Sequence, residues 1–336
     1  MKSLKKFLVL SCLILTALAK RKDFENFVKE HNARPDKTWV AELSKGINYD
    51  DDVALRSLVG TILETDEVVE KKVKILKAKG ELQSDGQGRR LQSLPRSVDL
   101  RVTYSRCPSI ADIRNQSQCG SCWAFATANV ITDAYCIQKG IIRSFAPQDL
   151  LTCCGSLCTG TSTDGCQGGY LNGAYSSMKI QGATTGEKYA DTNNKCKPYF
   201  LSPAATVSAV APPCTNTCAI STVSNQRQKI TGYRAFYGEA EMMKELATRG
   251  PITSAFKVYM DFYAYRSGVY KSNRMGYLGG HAIRIIGYGY DSVSKLKYWL
   301  IANSWGSGWG ESGFFKMRRG SNECNIEAYY SYAPIF

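Results

Sequence analysis

The distribution of cysteine constrains the fold of this chain more than any other feature of its sequence. Twelve of the 13 cysteines lie between Cys107 and Cys324, and none lies between residues 20 and 106. The remaining one, Cys12, falls in a stretch with a basic start, an apolar run and the small-residue sequence Ala17-Leu18-Ala19. That order is typical of a secretory signal peptide, so we predict cleavage after Ala19 and a destination in a lysosome-like compartment or outside the cell. A secreted segment so rich in cysteine is expected to be cross-linked by disulfide bonds.

Residues 20–93 differ in composition from the rest of the chain. They are charged, contain no cysteine and include a helix-like stretch from Glu67 to Lys79. They end with the polar, glycine-containing residues 83–90, which are typical of a protease-sensitive linker. We therefore predict a signal peptide at residues 1–19, a pro-segment at residues 20–93 and a mature domain at residues 94–336. The mature domain is predicted to be helical at about residues 107–230 and strand-rich at about residues 231–336, so a site built from both halves is expected in the cleft between them.

The net charge of +14 raises the question of an anionic partner. Downstream of residue 94 the basic residues are scattered singly, apart from Arg318-Arg319, and no basic stripe carries interleaved aromatic residues. This pattern favours a solvated surface over a nucleic-acid interface. No apolar run of 18 residues follows the N-terminus, so no membrane span is predicted. No cofactor and no metal ion are expected.

The run Cys119-Gly120-Ser121-Cys122-Trp123 places a thiol at the start of a helix-like stretch that continues to Ile137 and ends at Gly140. A free thiol has a pKa of about 8.5, and a helix N-terminus together with a neighbouring imidazolium stabilises the reactive thiolate. The whole chain has two histidines, His31 and His281, and His31 lies in the predicted pro-segment. If the mature domain uses a Cys–His pair, His281 is its only possible base.

A catalytic base needs a group that fixes its tautomer and orientation, and Asn303 in Asn303-Ser304-Trp305-Gly306 offers a side-chain oxygen for this purpose. Gln116 offers a side-chain N–H for an oxyanion, with the backbone N–H of Cys122 as the second donor. Trp305 and Trp309 are expected to shield the His–Asn pair from water, which strengthens its hydrogen bond.

Each of these features has another interpretation. Cys119 and Cys122 alone are also compatible with a redox pair or with half of a zinc site, although a redox pair is usually found in a βαβ context that this pattern lacks. A zinc site needs further reduced ligands, which secretion disfavours. His281 alone is compatible with a buried structural histidine, and the sequence around Asn303 with a turn. Their joint occurrence in this order favours a Cys–His enzyme.

Together with further motifs, these residues resemble the papain family, and within it the cathepsin B group, from the predicted pro-segment to the C-terminus. The motifs are Leu150-Leu151-Thr152-Cys153-Cys154-Gly155, Asp164-Gly165-Cys166-Gln167-Gly168-Gly169-Tyr170, Gly279-Gly280-His281-Ala282-Ile283-Arg284 and Tyr298-Trp299-Leu300-Ile301-Ala302-Asn303-Ser304-Trp305. In addition, Thr38-Trp39-Val40-Ala41 with Asn48 resembles the short inhibitory pro-peptide of that group.

The resemblance implies an α+β papain-like fold, with a helical left domain and a β-barrel-like right domain on either side of the active-site cleft. It implies hydrolysis of peptide bonds through a thioacyl-enzyme, with Cys122, His281, Asn303 and Gln116 in the roles given above. It also implies that Gly168 and Gly169 present backbone groups to the substrate. The implied partners are protein and peptide substrates, the chain's own pro-segment as an inhibitor, and cystatin-type inhibitors. The enzyme is expected to be a monomer.

Setting Cys122 aside leaves eleven cysteines in the mature domain, so at least one more must be free or paired outside the chain. The resemblance suggests five disulfide bonds, namely Cys107–Cys136, Cys119–Cys166, Cys153–Cys214, Cys154–Cys158 and Cys196–Cys218. It leaves Cys324 free.

One departure from the cathepsin B pattern concerns the primed side of the cleft, which binds residues after the cleaved bond. The group has an occluding loop with two adjacent histidines that bind the C-terminal carboxylate of a substrate. The corresponding stretch, Lys197 to Pro213, is shorter here and contains neither histidine nor cysteine. An open primed side and a mainly endopeptidase activity are therefore expected.

A second departure concerns the pocket for P2, the second residue before the cleaved bond. The group often carries a glutamate where this chain has Tyr329, and that glutamate helps to accept arginine. The other expected walls are Tyr170, Leu171, Ala255 and Ala282, and Trp305 is assigned to substrate binding as well. This set predicts a preference for leucine, valine or phenylalanine at P2.

Two competing functions are left open by the residues alone. One is a non-enzymatic member of the same fold that acts as a binding protein, although such proteins usually lack the nucleophile. The other is a thiol–disulfide oxidoreductase that uses Cys119 and Cys122, which leaves His281 and Asn303 without a role.

Overall fold

The computed structural model describes residues 20–78, 94–191, 195–205 and 208–336. The predicted signal peptide at residues 1–19 and the predicted linker at residues 83–90 lie outside the described residues. We refer to residues 20–78 as the N-terminal segment and to residues 94–336 as the main body.

The N-terminal segment forms three helices and one short strand. They are α1 (residues 20–33), β1 (Trp39–Ala41), α2 (Asp52–Arg56) and α3 (Asp66–Ala78). The prediction of a helix near Glu67 to Lys79 corresponds to α3. The chain between α2 and α3 has neither helix nor a paired strand of its own, and it enters the cleft of the main body.

The first half of the main body is mainly helical. Its elements are β2 (Val98–Asp99), α4 (Leu100–Thr103), α5 (Cys122–Lys139), α6 (Pro147–Cys153), α7 (Ser156–Thr159) and α8 (Leu171–Ile180). Every residue of α5 from Cys122 to Ala134 is buried, because the helix is apolar or small on all its faces and crosses the core. Gly140 ends α5 in the left-handed region, with φ of 70°.

The second half contains one helix and the rest of the sheet. Its elements are β3 (Gly232–Phe236), α9 (Glu239–Thr248), β4 (Ile252–Tyr259), β5 (Tyr265–Tyr270), β6 (Tyr277–Asp291), β7 (Leu296–Ala302), β8 (Phe314–Arg318) and β9 (Ser331–Ile335). The strand order is β1-β5-β8-β7-β6-β4-β9-β3, with β2 paired to β6, and the sheet is open with β1 and β3 at its ends. All pairs are antiparallel except β5 with β8.

The N-terminal segment is docked on the sheet through β1. Trp39 pairs with Gly268 in the register of β1 with β5, and only 2% of its surface is exposed. Its ring centroid lies 5.2 Å from that of Tyr270 on the main body and 3.9 Å from that of His31 in α1. The hydroxyl of Thr38 donates to the carbonyl oxygen of Val269 at 2.8 Å. Strand pairing and aromatic packing therefore hold the segment at this edge.

Helix α5 and strand β6 are joined by a buried ion pair. The Arg284 guanidinium donates to the Asp133 carboxylate at 2.6 Å, and the two side chains are 3% and 0% exposed. The same guanidinium donates to the carbonyl oxygens of Ser109 at 2.9 Å and Asp112 at 2.8 Å. The helix that begins at Cys122 is thereby fixed to the strand that carries His281.

Five disulfide bonds cross-link the main body. They are Cys107–Cys136, Cys119–Cys166, Cys153–Cys214, Cys154–Cys158 and Cys196–Cys218. Cys122 and Cys324 are buried free thiols. All five bonds lie between Cys107 and Cys218, so none of them involves the seven strands β3 to β9, which begin at Gly232. None of the described helices is both long and apolar enough to cross a membrane.

Replacing Arg284 by methionine leaves the Asp133 carboxylate buried without its partner. This change is expected to lower the free energy of unfolding by about 3–5 kcal/mol. The double variant Arg284→Met/Asp133→Leu is expected to recover part of that loss, because it leaves no unpaired charge. Guanidinium denaturation with intact disulfides measures both values.

A matched control is Lys188→Met, which removes the partner of Asp112 in an ion pair of 2.7 Å whose lysine side chain is 54% exposed. Its effect is expected to stay below about 1 kcal/mol. If Arg284→Met/Asp133→Leu loses as much stability as Arg284→Met and Asp133→Leu lose together as single variants, the role of the buried pair is contradicted.

Candidate active site

The thiol of Cys122 lies at the first residue of α5. The free N–H groups of the first helical turn point toward this end, and the helix dipole favours negative charge there. The loop before it is fixed by the Cys119–Cys166 bond and by a hydrogen bond of 2.9 Å between the hydroxyls of Ser121 and Tyr199. Because Cys119 is bonded to Cys166, Cys119 and Cys122 do not form a dithiol pair.

His281 and Asn303 are brought together by the pairing of β6 with β7. His281 lies on β6, and Asn303 follows directly after β7, where Ala302 pairs with Arg284. The ring nitrogen Nε2 of His281 lies 2.7 Å from the side-chain oxygen of Asn303. Since an amide oxygen only accepts, Nε2 carries the proton and Nδ1 is the nitrogen that is available for proton exchange. Nδ1 is buried and has no hydrogen-bond partner among the described residues.

The surroundings of this pair keep it dry and oriented. The Trp305 ring lies 4.8 Å from the His281 ring, and Trp309 packs edge-on against Trp305 at 5.1 Å. The side-chain oxygen of Asn303 also accepts the backbone N–H of Ser304 at 2.8 Å, which fixes the amide. The imidazole is therefore held in one orientation in a site with little water.

Gln116 is tied to the same loop as Asn303. Its side-chain oxygen accepts the hydroxyl of Ser304 at 2.6 Å, and its backbone N–H donates to the carbonyl oxygen of Ser304 at 2.8 Å. Its side-chain nitrogen donates to two carbonyl oxygens, that of Cys119 at 2.9 Å and that of Leu58 at 3.2 Å. Trp305 also donates to the Leu58 oxygen, at 3.1 Å. The predicted oxyanion donor thus already holds a carbonyl oxygen, supplied by the N-terminal segment.

The N-terminal segment runs directly across the thiol. The hydroxyl of Thr61 lies 3.1 Å from the sulfur of Cys122. The backbone N–H groups of Gly60 and Thr61 both donate to the carbonyl oxygen of Gly280 at 3.0 Å. Gly169 donates to the carbonyl oxygen of Gly60 at 2.8 Å and accepts the N–H of Ile62 at 3.0 Å. Backbone groups on both walls of the cleft therefore hold the segment in place.

A cavity of about 350 Å³ opens beside this segment. The main body contributes Tyr170, Leu171, Asn172, Ala255, Tyr329, Tyr330 and Tyr332 to its lining, and the N-terminal segment contributes Thr61, Ile62, Leu63 and Glu64. Four of the predicted walls are therefore present, whereas Ala282 is fully buried and does not line the cavity. Sequence reasoning missed Asn172, Tyr330 and Tyr332. The aromatic run Tyr329-Tyr330-Ser331-Tyr332 is the sequence feature that could have indicated Tyr330 and Tyr332 as cavity residues.

Burial under the N-terminal segment disfavours the charged forms of both reactive groups. Burial lowers the pKa of His281 to about 4, against the opposing effect of its hydrogen bond to Asn303. Burial likewise raises the pKa of the Cys122 thiol, although the N–H of Ala282 and the hydroxyl of Thr61 act in the opposite direction. Uncovering the site reduces the desolvation of both charges and therefore favours the thiolate and the imidazolium.

Comparison with known proteins fits this geometry. A family model described as papain family cysteine protease matches residues 94–334. The chain belongs to the papain family of cysteine proteases. The family assignment made from the motifs is therefore confirmed.

The curated relatives are of the cathepsin B type. The chain is 42% identical over 247 residues to a gut-specific cysteine proteinase of Caenorhabditis elegans, covering 71% of this chain and 73% of that protein. It is 34% identical over 308 residues to cathepsin B-like cysteine proteinase 4 of the same organism, covering 86% of each chain.

Solved structures of proenzymes share the fold. Procathepsin B S9 from Trypanosoma congolense superposes with a TM-score of 0.75 at 27% identity, covering 92% of this chain and 97% of that one. Digestive procathepsin L 3 of Tenebrio molitor superposes with a TM-score of 0.67 at 21% identity, covering 97% and 93%. The predicted α+β papain-like fold is thus confirmed.

Gly60 gives a sharp test of how tightly the N-terminal segment fits. A Cβ atom at this position would lie 2.0 Å from the backbone oxygen of Gly120, so Gly60→Ala forces the segment out of the cleft. Overpacking of this kind costs about 1–3 kcal/mol, which raises the uncovered fraction by about 5- to 150-fold. The rate of Cys122 alkylation by iodoacetamide in the uncleaved protein, mapped by mass spectrometry, measures this fraction.

The matched control is Gly46→Ala, also in the N-terminal segment, because a Cβ atom at Gly46 meets no atom within 4 Å. Its alkylation rate is expected to equal that of the unmodified protein. Equal rates for Gly60→Ala and Gly46→Ala would show that the segment does not cover the thiol.

Proposed function

We propose that the protein is a cysteine endopeptidase, made as a secreted zymogen, that cleaves peptide bonds through a thioacyl-enzyme on Cys122. The observation that carries this proposal is that the buried Cys122 thiol at the start of α5 faces the N–H of Ala282, next to the buried His281, which is paired with Asn303. Residues 1–19 are the proposed signal peptide, residues 20–93 the inhibitory pro-segment and residues 94–336 the peptidase domain. The match of the family model from residue 94 supports the last boundary.

The proposed first half-reaction forms the thioacyl-enzyme. His281 Nδ1 takes the proton of Cys122, and the thiolate attacks the carbonyl carbon of the substrate. The negative charge that develops on the carbonyl oxygen is stabilised by hydrogen bonds from the side-chain N–H of Gln116 and the backbone N–H of Cys122. Loss of one such donor costs about 2.7–4 kcal/mol of transition-state stabilisation. His281 then gives its proton to the leaving amine, and a thioester remains.

In the second half-reaction, water replaces the amine. His281 takes a proton from the water, the oxygen attacks the thioester carbon, and the C–S bond breaks to release the acid product. The sulfur recovers its proton from His281, which returns the site to its starting form. Asn303 orients the imidazole through both half-reactions.

The path of the N-terminal segment supports its proposed role as an inhibitor. The segment passes the thiol at Thr61 and only afterwards reaches the cavity, which Leu63 lines. In a substrate the P2 residue precedes the cleaved bond, so a productive chain runs in the opposite direction. The segment uses the backbone groups that we assign to substrate binding, but it passes them in the direction opposite to that of a substrate.

The cavity supports the proposed preference for an apolar P2 residue. Among the residues that line it, the main body supplies no acidic side chain, since Glu64 belongs to the N-terminal segment. The position that often holds glutamate in the cathepsin B group is the buried Tyr329. Leu63 already lies against the cavity, which fits leucine, valine or phenylalanine at P2.

The loop at residues 197–213 supports the proposed endopeptidase activity. The N–H of Ala209 donates to the carbonyl oxygen of Gln118 at 2.9 Å, and the N–H of Ala211 donates to the carboxylate of Asp164 at 2.8 Å. These contacts hold residues 209–211 against the helical half of the main body, and residues 206 and 207 of this stretch lie outside the described residues. The N-terminal segment extends from α2 through the cleft to α3, so the cleft accommodates chain on both sides of the thiol.

Active-site titration tests the proposal. After removal of the N-terminal segment at acid pH, an epoxide directed at papain-like thiolates is expected to label Cys122 with one equivalent and to abolish hydrolysis of blocked peptides. Cys122→Ser is expected to remain unlabelled and inactive. An intact, uncovered protein that is not labelled at Cys122 would favour the binding-protein function.

Release of C-terminal dipeptides at a rate comparable to internal cleavage would refute the endopeptidase assignment.

The P2 assignment predicts a change of specificity for Tyr329→Glu. A carboxylate at the base of the cavity offers an ion pair to arginine, so the ratio of kcat/KM for arginine over leucine at P2 is expected to rise by about 10-fold or more. Tyr329→Gln is the matched control, because it has nearly the same size as glutamate without its charge. Arginine and leucine being equally good at P2 in the unmodified enzyme would contradict the assignment.

A further inference from the structure

A lysine of the N-terminal segment is buried against two tyrosines of the main body. The ammonium nitrogen of Lys72 on α3 lies 3.4 Å from the ring centroid of Tyr330 and 5.1 Å from that of Tyr237. The two rings meet edge to face at 5.6 Å. Only 7% of the Lys72 side chain is exposed, although lysine is rarely buried without a partner. We call Tyr237 and Tyr330 the tyrosine pair.

The second partner of Lys72 comes from the N-terminal segment itself. The carboxylate of Glu64 accepts two hydrogen bonds from Lys72, at 2.6 and 2.7 Å, and one from the backbone N–H of Tyr330 at 3.1 Å. Both charged groups therefore leave when the segment is removed. The two ring faces and the Tyr330 N–H stay behind on the main body.

The tyrosine pair adjoins the cavity assigned to P2. Tyr330 lines that cavity together with Tyr329 and Tyr332. The N-terminal segment passes from Leu63 at the cavity to Glu64 and then to α3, which carries Lys72. A substrate runs in the opposite direction, so its residues before P2 extend over this same surface.

We propose that the tyrosine pair is a subsite for a lysine or arginine side chain at P3 or P4, the positions immediately before P2. This inference rests on the proposed peptidase function and adds a substrate class to it. The face of an aromatic ring attracts a cation within about 6 Å of its centroid, and more strongly where water is excluded. Lys72 shows that an ammonium group fits this position with both rings in range.

The preference for a cationic side chain is expected to arise from the ring faces of the tyrosine pair and not from the net charge of the protein. Residues 94–336 hold 25 Lys and Arg against 15 Asp and Glu, a net charge of +10, so long-range electrostatics disfavours a cationic substrate. A preference for lysine must then come from contacts at short range. It is expected to depend on the aromatic character of residues 237 and 330 and to survive the loss of their hydroxyl groups.

The test uses the activated enzyme and blocked peptides with leucine fixed at P2. Lysine, arginine and the neutral norleucine are placed in turn at P3 and at P4. At one of these positions kcat/KM for lysine is expected to exceed that for norleucine by about 2- to 30-fold. Tyr237→Leu is expected to lower this ratio, while Tyr237→Phe keeps it. Tyr330→Leu and Tyr330→Phe give a second, independent pair of variants.

The norleucine peptides separate the possible failures. If the unmodified enzyme cleaves none of the peptides, the proposed function itself is wrong. If it cleaves norleucine and lysine peptides equally well at both positions, the subsite is refuted without affecting the proposed function. A lysine preference that persists in both leucine variants, each shown to be folded by its cleavage of norleucine peptides, refutes the role of the tyrosine pair.

Discussion

The buried ion pair between Asp133 and Arg284 sets the geometry on which the active site depends. Cys122 lies at the first residue of a helix, and His281 lies on a strand of the other half of the molecule. The proton transfer that we propose between them requires that these two elements keep a fixed separation. Arg284 is three residues from His281 and makes its contacts inside the helical half. The strand is therefore fixed close to His281. A buried charge tolerates little displacement, because every shift leaves it partly unpaired.

Recognition of the N-terminal segment combines two kinds of contact. Close to the thiol it relies on backbone groups and on the absence of side chains, as at Gly60 and Gly280. Farther away it relies on large side chains, above all Trp39 on the sheet. The first kind admits any chain that is extended and narrow, whereas the second kind is specific to this segment. This division explains how one cleft is suited both to bind its inhibitor firmly and to accept varied substrates.

Much of the fold and of the site was predictable because the signals are local. The apolar run after Cys122 predicts α5, and glycine-bounded runs predict the strands that carry His281 and precede Asn303. The sequence also predicts that His281 is the partner of the Cys122 thiol, since residues 94–336 contain one histidine. The family and fold class inferred from the motifs are confirmed by the comparisons.

Other features depend on partners that are distant in sequence. Strand β1 has three residues, and its partner β5 lies more than 200 residues away, so no local pattern indicates the pairing. Ala282 was assigned to the P2 pocket by resemblance, and with the N-terminal segment in the cleft it is buried and does not line the cavity. Tyr330 and Tyr332 reach the cavity because the chain turns before β9, and a run of tyrosines does not reveal that turn. Contacts of this kind become visible only when the tertiary structure is known.

The position of β1 at the end of the sheet has a consequence for the mature enzyme. While the N-terminal segment is attached, β1 covers the outer side of β5. Once the segment is removed, β5 becomes a border strand with unpaired backbone groups, which in other sheets invite pairing with another molecule. Here that border carries the exposed Arg266, a charged side chain of the kind that discourages a second strand from adding on. The cut that we propose for activation would therefore open the cleft and expose this sheet edge at the same time.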